Sequence, residues 1–185
     1  VDIYGEYAIV GDSWAVTPGS NNHGAMYIFK RNNAEGTSWS EVFKDFQKDE
    51  YDSPMYWDYF GAEVAISGNY AIVGAPLHCE NDDLEKSGAA YIYKLENGEW
   101  NLSQKLLSSD LDKFDNYGMS VSIDGDTIAI GSGDNIQEEN RQDAENPGAV
   151  YMFKLINGSW EEISKLYPEE FLQYEKKKKS VDVKG

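Results

Sequence analysis

The chain is poor in sulfur and imidazole, with one cysteine, Cys79, and two histidines, His23 and His78, in 185 residues. A single cysteine permits no internal disulfide and no thiolate metal cluster, and it leaves the redox compartment open. Two histidines build no zinc site without carboxylate help. No apolar run reaches the roughly 18 residues a membrane-spanning helix needs, so membrane insertion is not expected. No leader peptide is legible, and the first residues already read as a strand. Basic residues are scarce, 16 against 33 acidic ones, for a net charge of −17. Such a surface repels phosphate backbones, so nucleic acid is a poor partner. Cation binding or plain solubility explains the acidity better. Catalytic signatures are missing too. There is no Gly-x-Ser-x-Gly elbow, no phosphate-binding glycine loop and no His-Glu-x-x-His. With carboxylates this abundant, two lying close together carry little weight, and no enzyme is expected.

What is present is a repeated phrase. It reads Val1-Asp2-Ile3-Tyr4-Gly5, Val64-Ala65-Ile66-Ser67-Gly68, Val121-Ser122-Ile123-Asp124-Gly125 and Val181-Asp182-Val183-Lys184-Gly185. A period of roughly sixty residues means one supersecondary unit repeated along the chain. The units fall at 1–48, 49–109 and 110–169, with a degenerate fourth repeat opening at 170–185.

Each unit has one grammar. In the third, Val121 to Asp124 alternates apolar and polar, and Asp124-Gly125 reads as a two-residue hairpin turn. Asp126 to Gly131 returns as a second strand, and a polar loop runs from Ser132 to Pro147. Gly148 to Lys154 is a third strand, Asn157-Gly158 a second turn, and Trp160 to Leu166 a fourth strand. The second unit repeats this with Tyr70–Pro76, Gly88–Lys94, Asn97-Gly98 and Trp100–Leu106, and the first with Tyr7–Gly11, Gly24–Lys30, a turn at Asn32–Gly36 and Trp39–Phe43. Helical periodicity competes weakly at Pro168–Lys179. Apolar residues fall on both faces of each unit, so one sheet cannot cover itself and must stack on neighbours. The expected fold class is all-β, with β-propeller blades of four antiparallel strands.

The phrases Phe60-Gly61 with Gly74-Ala75-Pro76, Tyr117-Gly118 with Gly131-Ser132, and the strands Ala89–Tyr93 and Ala149–Phe153 resemble the FG-GAP repeat, the blade of the integrin α-subunit propeller. The resemblance covers nearly the whole chain. It implies three blades plus one extra strand, a segment of a larger propeller of about seven blades. It also implies an extracellular recognition or adhesion module. Integrin blades carry a calcium loop between strands one and two. Here that connection is Ser67-Gly68-Asn69 or Asp124-Gly125-Asp126, too short to wrap an ion with six to eight oxygens.

Candidate sites fall in three sets. Asp110, Asp112 and Asp115 precede the third unit's first strand, and Asp49, Asp52 and Asp58 precede the second's. Clustered hard oxygens suit Ca²⁺; the competing role is capping tight turns. The loops between strands two and three differ in every unit, as binding loops on a rigid scaffold do. They carry Trp14 and His23; Glu80, Asp82, Asp83 and Glu85; and Asp134, Glu138, Glu139, Asp143 and Glu145. Trp14 is either a ligand-facing aromatic or packed beneath its own loop. Asn101 and Asn157 match the glycosylation acceptor pattern. The Lys176–Lys179 run reads as a solvated loop.

Three functions fit: recognition of a protein or carbohydrate ligand, a building block of a surface or filament assembly, and an ancillary propeller of a secreted hydrolase or lyase. Further blades, from this or another chain, are expected partners.

Overall fold

The computed structural model describes residues 1–16, 24–46, 58–81, 84–133 and 148–167. Among these residues twelve strands form three four-stranded antiparallel sheets. The first blade holds β1 (Asp2–Tyr4), β2 (Tyr7–Asp12), β3 (Ala25–Arg31) and β4 (Trp39–Asp45). The second holds β5 (Val64–Ser67), β6 (Tyr70–Ala75), β7 (Ala89–Glu96) and β8 (Glu99–Leu106). The third holds β9 (Ser120–Asp124), β10 (Thr127–Ser132), β11 (Ala149–Ile156) and β12 (Ser159–Leu166). In each sheet the strands lie in sequence order, so every connection is a hairpin and none crosses over. The extra strand expected at Val181–Gly185 lies outside the described residues.

Turn chemistry sets the register. Asn97-Gly98 and Asn157-Gly158 have positive φ at both positions (53° and 87°, 52° and 88°), the type I′ conformation that matches strand twist. The first hairpin differs from the sequence expectation. Asp124 pairs with Thr127, so the turn residues are Gly125-Asp126, one place beyond Asp124-Gly125. Gly125, Gly68 and Gly5 each sit at the first turn position with φ near +58°. That is where a type II′ turn requires glycine. In each blade the pairing of the last two strands shifts register once, at Ile28/Phe29, Ile92/Tyr93 and Met152/Phe153. A bulge of this kind twists the outer edge strand and blunts its pairing with other chains.

The middle blade is apolar on both faces because both are covered. Val64, Ile66, Ala71, Val73, Tyr91 and Tyr93 pack against Ile9, Met26 and Ile28 of the first blade. Ala65, Ile72, Ala90 and Ile92 pack against Ile123, Ile128, Ile130, Tyr151 and Phe153 of the third. Period-two alternation sends neighbouring residues of one strand into two different cores. Tryptophans at equivalent positions add a rung: Trp100 meets Tyr7 edge-on at 5.6 Å, and Trp160 meets Tyr70 at 5.4 Å.

The blades are also joined through their backbones. The Tyr117 N–H donates to the Ser87 carbonyl of the preceding blade at 3.0 Å, while the Gly61 and Gly118 N–H groups donate to the Gly74 and Gly131 carbonyls of their own blades, each at 3.0 Å. Phe60 and Tyr117 form isolated parallel bridges to Gly24 and Gly88 of the preceding blade. Each aromatic-glycine pair thus enters a notch in its predecessor. A Cβ at Gly74 would lie 2.0 Å from the Gly118 carbonyl oxygen, and one at Gly11 would lie 2.1 Å from that of Gly61.

These contacts separate two kinds of glycine. Gly74→Ala forces backbone apart at the blade junction and should cost about 3 kcal/mol. Gly68→Ala meets nothing within 4 Å and bears only the positive-φ strain, about 1 kcal/mol. Urea unfolding of the two variants measures the difference.

Candidate functional site

All the short turns lie at one edge of the blades. The strand ends that lead into the long connections, with the described residues of those connections, lie at the other. The alternation of antiparallel strands compels this segregation. Described members of two of the three candidate sets, the acids before the first strands and the residues between strands two and three, fall at that second edge.

Trp14 follows β2. Its N–H donates to Asp12 Oδ1 at 3.1 Å, and Ala15 N–H closes a turn on the Asp12 carbonyl at 3.2 Å. The indole meets Tyr59 of the next blade edge-to-face at 5.0 Å with an interplanar angle of 65°, and 58% of Trp14 is exposed. Tyr59 is held at φ +55°, immediately before the inserted Phe60-Gly61.

Next to Tyr59, Asp58 faces His78 at 3.7 Å. His78 is buried, and its Nε2 lies 3.1 Å from Glu80 and 2.9 Å from Lys105 Nζ, which also pairs with Glu80 at 2.6 Å. Burial raises the Glu80 carboxyl, but hydrogen bonds from Lys105 and His78 outweigh it and hold it below the usual range. Glu80 is thus a member of a buried-edge ion network. Burial pushes the neighbouring Cys79 thiol up, so this cysteine is an unreactive core residue. Glu85 pairs with Lys86 at 3.7 Å.

The third blade has a related cluster with a different acid. Tyr151 pairs across strands with Lys165, as Tyr91 pairs with Lys105. Asp110 Oδ1 accepts from Tyr151 Oη at 2.8 Å, and Asp110 Oδ2 accepts from Lys165. Burial again raises the Asp110 carboxyl, and these two hydrogen bonds more than reverse it. Burial pushes the Tyr151 phenol up to about 12. Lys165 is held above the ordinary lysine range, its burial outweighed by bonds to Asp110, Tyr151 and Tyr167. The Lys165 ammonium also lies 4.6 Å from the Tyr151 ring centre.

Asp112 and Asp115 serve the local turn. Asp112 N–H donates to Asp115 Oδ2 at 3.0 Å, and Lys113 N–H donates to Asp112 Oδ1 at 2.7 Å. Asp115 is buried, which raises its carboxyl. These are Asx-type contacts. Among the described residues no group of three or more His, Cys, Asp or Glu side chains converges to hold a metal. Asp49, Asp52, His23, Asp82, Asp83, Asp134, Glu138, Glu139, Asp143 and Glu145 lie outside the described residues, as do Lys176–Lys179. Asn157 is exposed in its type I′ turn, and Asn101 is exposed on β8.

Sequence reasoning missed His78, Tyr59, Lys105, Tyr151 and Lys165. The signal for Lys105, Tyr151 and Lys165 is recurrence, tyrosine and lysine standing at matching positions of the third and fourth strands of every blade; Tyr59 has no such signal, since Asn116 takes its place in the third unit.

Stacked four-stranded blades with an aromatic-glycine pair set into each predecessor define a propeller-type repeat protein. The FG-GAP repeat family model matches residues 56–93 and 100–153, and the chain belongs to that repeat family. Comparison with curated proteins gives no match. Among the described residues no helix is long and apolar enough to cross a membrane.

Two outcomes follow from the Asp110 cluster. Its carboxyl sits low in the folded chain, so its contribution is present above the ordinary aspartate pKa of about 4 and is lost as pH falls through the lower folded value. Asp110→Asn should cost about 1 kcal/mol at neutral pH, and the gap to the parent should close in acid melts. Because Asp110, Asp112 and Asp115 already accept from protein donors, adding EDTA should leave the parent melting midpoint unchanged. A drop would restore a structural calcium ion.

Proposed function

We propose that the chain is a non-enzymatic extracellular recognition or adhesion module, binding a protein or carbohydrate ligand at the edge where the long connections gather. The observation that carries this reading is the Trp14–Tyr59 pair. A large aromatic exposed to 58% and held by stacking across a blade boundary costs little entropy to present. Aromatics of this kind anchor most interfaces in which a few residues dominate affinity. The carboxylates of Asp12 and of the neighbouring acidic loops supply acceptors for ligand hydroxyl or ammonium groups. Asn157, exposed in its turn, fits an extracellular setting as a glycosylation acceptor.

A second reading, a building block of a surface assembly, draws support from the apolar outer face of the first blade, where Ile3 is 61% exposed. The two readings call on different surfaces and are compatible.

Arrayed glycans and arrayed protein fragments, probed with the parent and with Trp14→Ala, test the first reading. The variant should lose about 2 kcal/mol of binding, roughly thirtyfold in Kd, at the ligand the parent selects. Its stability should change by less than about 0.5 kcal/mol, because the ring is largely solvent-exposed. Equal binding by both proteins would rule out the aromatic pair as the anchor.

A further inference from the structure

His78, buried in the second blade, stands between opposite demands. Its Nε2 lies 2.9 Å from the Lys105 ammonium and 3.1 Å from Glu80 Oε2. An ammonium only donates and a carboxylate only accepts. One nitrogen cannot serve both, so each protonation state of the ring satisfies one partner and abandons the other. On the far side of the ring, Nδ1 lies 3.7 Å from Asp58 Oδ1. A bare Nδ1 lone pair would be repelled by that carboxylate, whereas Nδ1–H is attracted to it. The neutral ring therefore carries its proton on Nδ1 and accepts from Lys105 at Nε2. A second proton goes to Nε2 and turns it from acceptor to donor, so Glu80 replaces Lys105 as its partner. Lys105 stays in the cluster, because it also pairs with Glu80 at 2.6 Å.

Among the described residues, four groups face the imidazole. They are Asp58 from the linker, Glu80 on its own segment, Lys105 from β8 and the Tyr91 ring of β7, at 6.5 Å and 82°. Two carboxylates stand against one ammonium. A neutral ring leaves this group net negative, and an imidazolium neutralises it. Burial of His78, 1% exposed, opposes the charge, and the second carboxylate favours it. Burial raises the Glu80 carboxyl, but bonds from Lys105 and His78 outweigh it, so Glu80 is ionised where histidine titrates.

The part this proton acts on is the linker. Asp58 meets the second blade twice: its carboxylate faces His78, and its carbonyl accepts from Leu77 N–H at 3.1 Å. The next residue, Tyr59, has φ +55°, a conformation an aromatic residue seldom adopts without outside support. Beyond it, Phe60 is fixed by its bridge to Gly24. Tyr59 is thus held between one anchor that does not titrate and one whose partner does, and its ring meets Trp14 at 5.0 Å.

We propose that His78 is a proton-operated latch on the linker between the first and second blades. Proton uptake passes Nε2 from Lys105 to Glu80, and the imidazolium draws the Asp58 carboxylate inward. Tyr59, and with it Trp14, is then held more firmly in mild acid than at alkaline pH. The latch needs no bound ligand, so this inference does not rest on the ligand reading.

Two measurements on the 185-residue chain test it. The first is nitrogen NMR of the imidazole in a His23→Gln background, which leaves one histidine. It should show Nδ1–H with an unprotonated Nε2 at about pH 8, and one protonation on the way to about pH 5. The second is quenching by acrylamide, a neutral quencher, with Trp14 read as the difference between the parent and Trp14→Phe. Its quenching constant should fall along the same titration as pH is lowered. Glu80→Gln removes a carboxylate that favours the proton and should move the His78 titration down by roughly one pH unit or more. Asp58→Asn should leave His78 titrating but make Trp14 quenching independent of pH. An Nε2–H tautomer at the alkaline end, a ring that takes up no proton above the acid end, or Trp14 quenching that stays flat through the His78 titration would each overturn the proposal. If either variant unfolds, the two titrations of the parent still decide.

Discussion

The structure depends on one close approach of backbone to backbone. The aromatic-glycine pair of each later blade lies so near the second and third strands of its predecessor that a Cβ there would overlap a carbonyl oxygen, at 2.0 Å for Gly74 and 2.2 Å for Gly88. Glycine at Gly11, Gly24, Gly74 and Gly88 is therefore a steric condition of stacking. The aromatic member then fills what the glycines open. Phe60 meets Tyr91 edge-on at 5.5 Å, and Tyr117 meets Tyr151 at 5.1 Å. Polar backbone and apolar ring act at the same junction, one fixing the spacing and the other excluding water.

From that junction follows the position of the candidate site. Because the pair enters at the edge where the long connections lie, the residues just ahead of it are carried there too. Tyr59 comes from the linker into the second blade and Trp14 from a loop of the first, so the exposed aromatic pair exists only when the two blades are stacked. Asp110, in the linker ahead of the third blade, binds Tyr151 and Lys165 of that same unit. The Trp14–Tyr59 pair is built across a blade boundary, so for it blade stacking and site formation are coupled.

Much of the fold is legible from local rules. Alternation gives strands, Asn-Gly gives type I′ turns, and the repeated phrase gives the unit. The apolar residues of Tyr70–Ala75 and Ala89–Tyr93 on both faces already imply a sheet covered twice. One local rule misleads: Asp124-Gly125 is a good turn pair in isolation, but the pairing of Ile123 with Ile128 moves the turn to Gly125-Asp126. Matching two apolar faces outweighs the preference of a dipeptide. The candidate carboxylates were legible as a class and not as individuals. Asp110, Glu80 and Asp58 look alike in the sequence, yet one binds a tyrosine and a lysine, one a lysine and a histidine, and one faces a buried histidine.

By itself, the sequence determined the repeat, the strand order within it and the places where backbone had to be bare, because these rest on period, turn chemistry and residue size over short stretches. Tertiary structure alone decided which acids become partners of which cations, that His78 is buried, and that Trp14 stands on Tyr59 in solvent. The physical reason is distance along the chain. Tyr151 and Asp110 are 41 residues apart, and only the linker laid against the third sheet brings such groups within reach of a hydrogen bond.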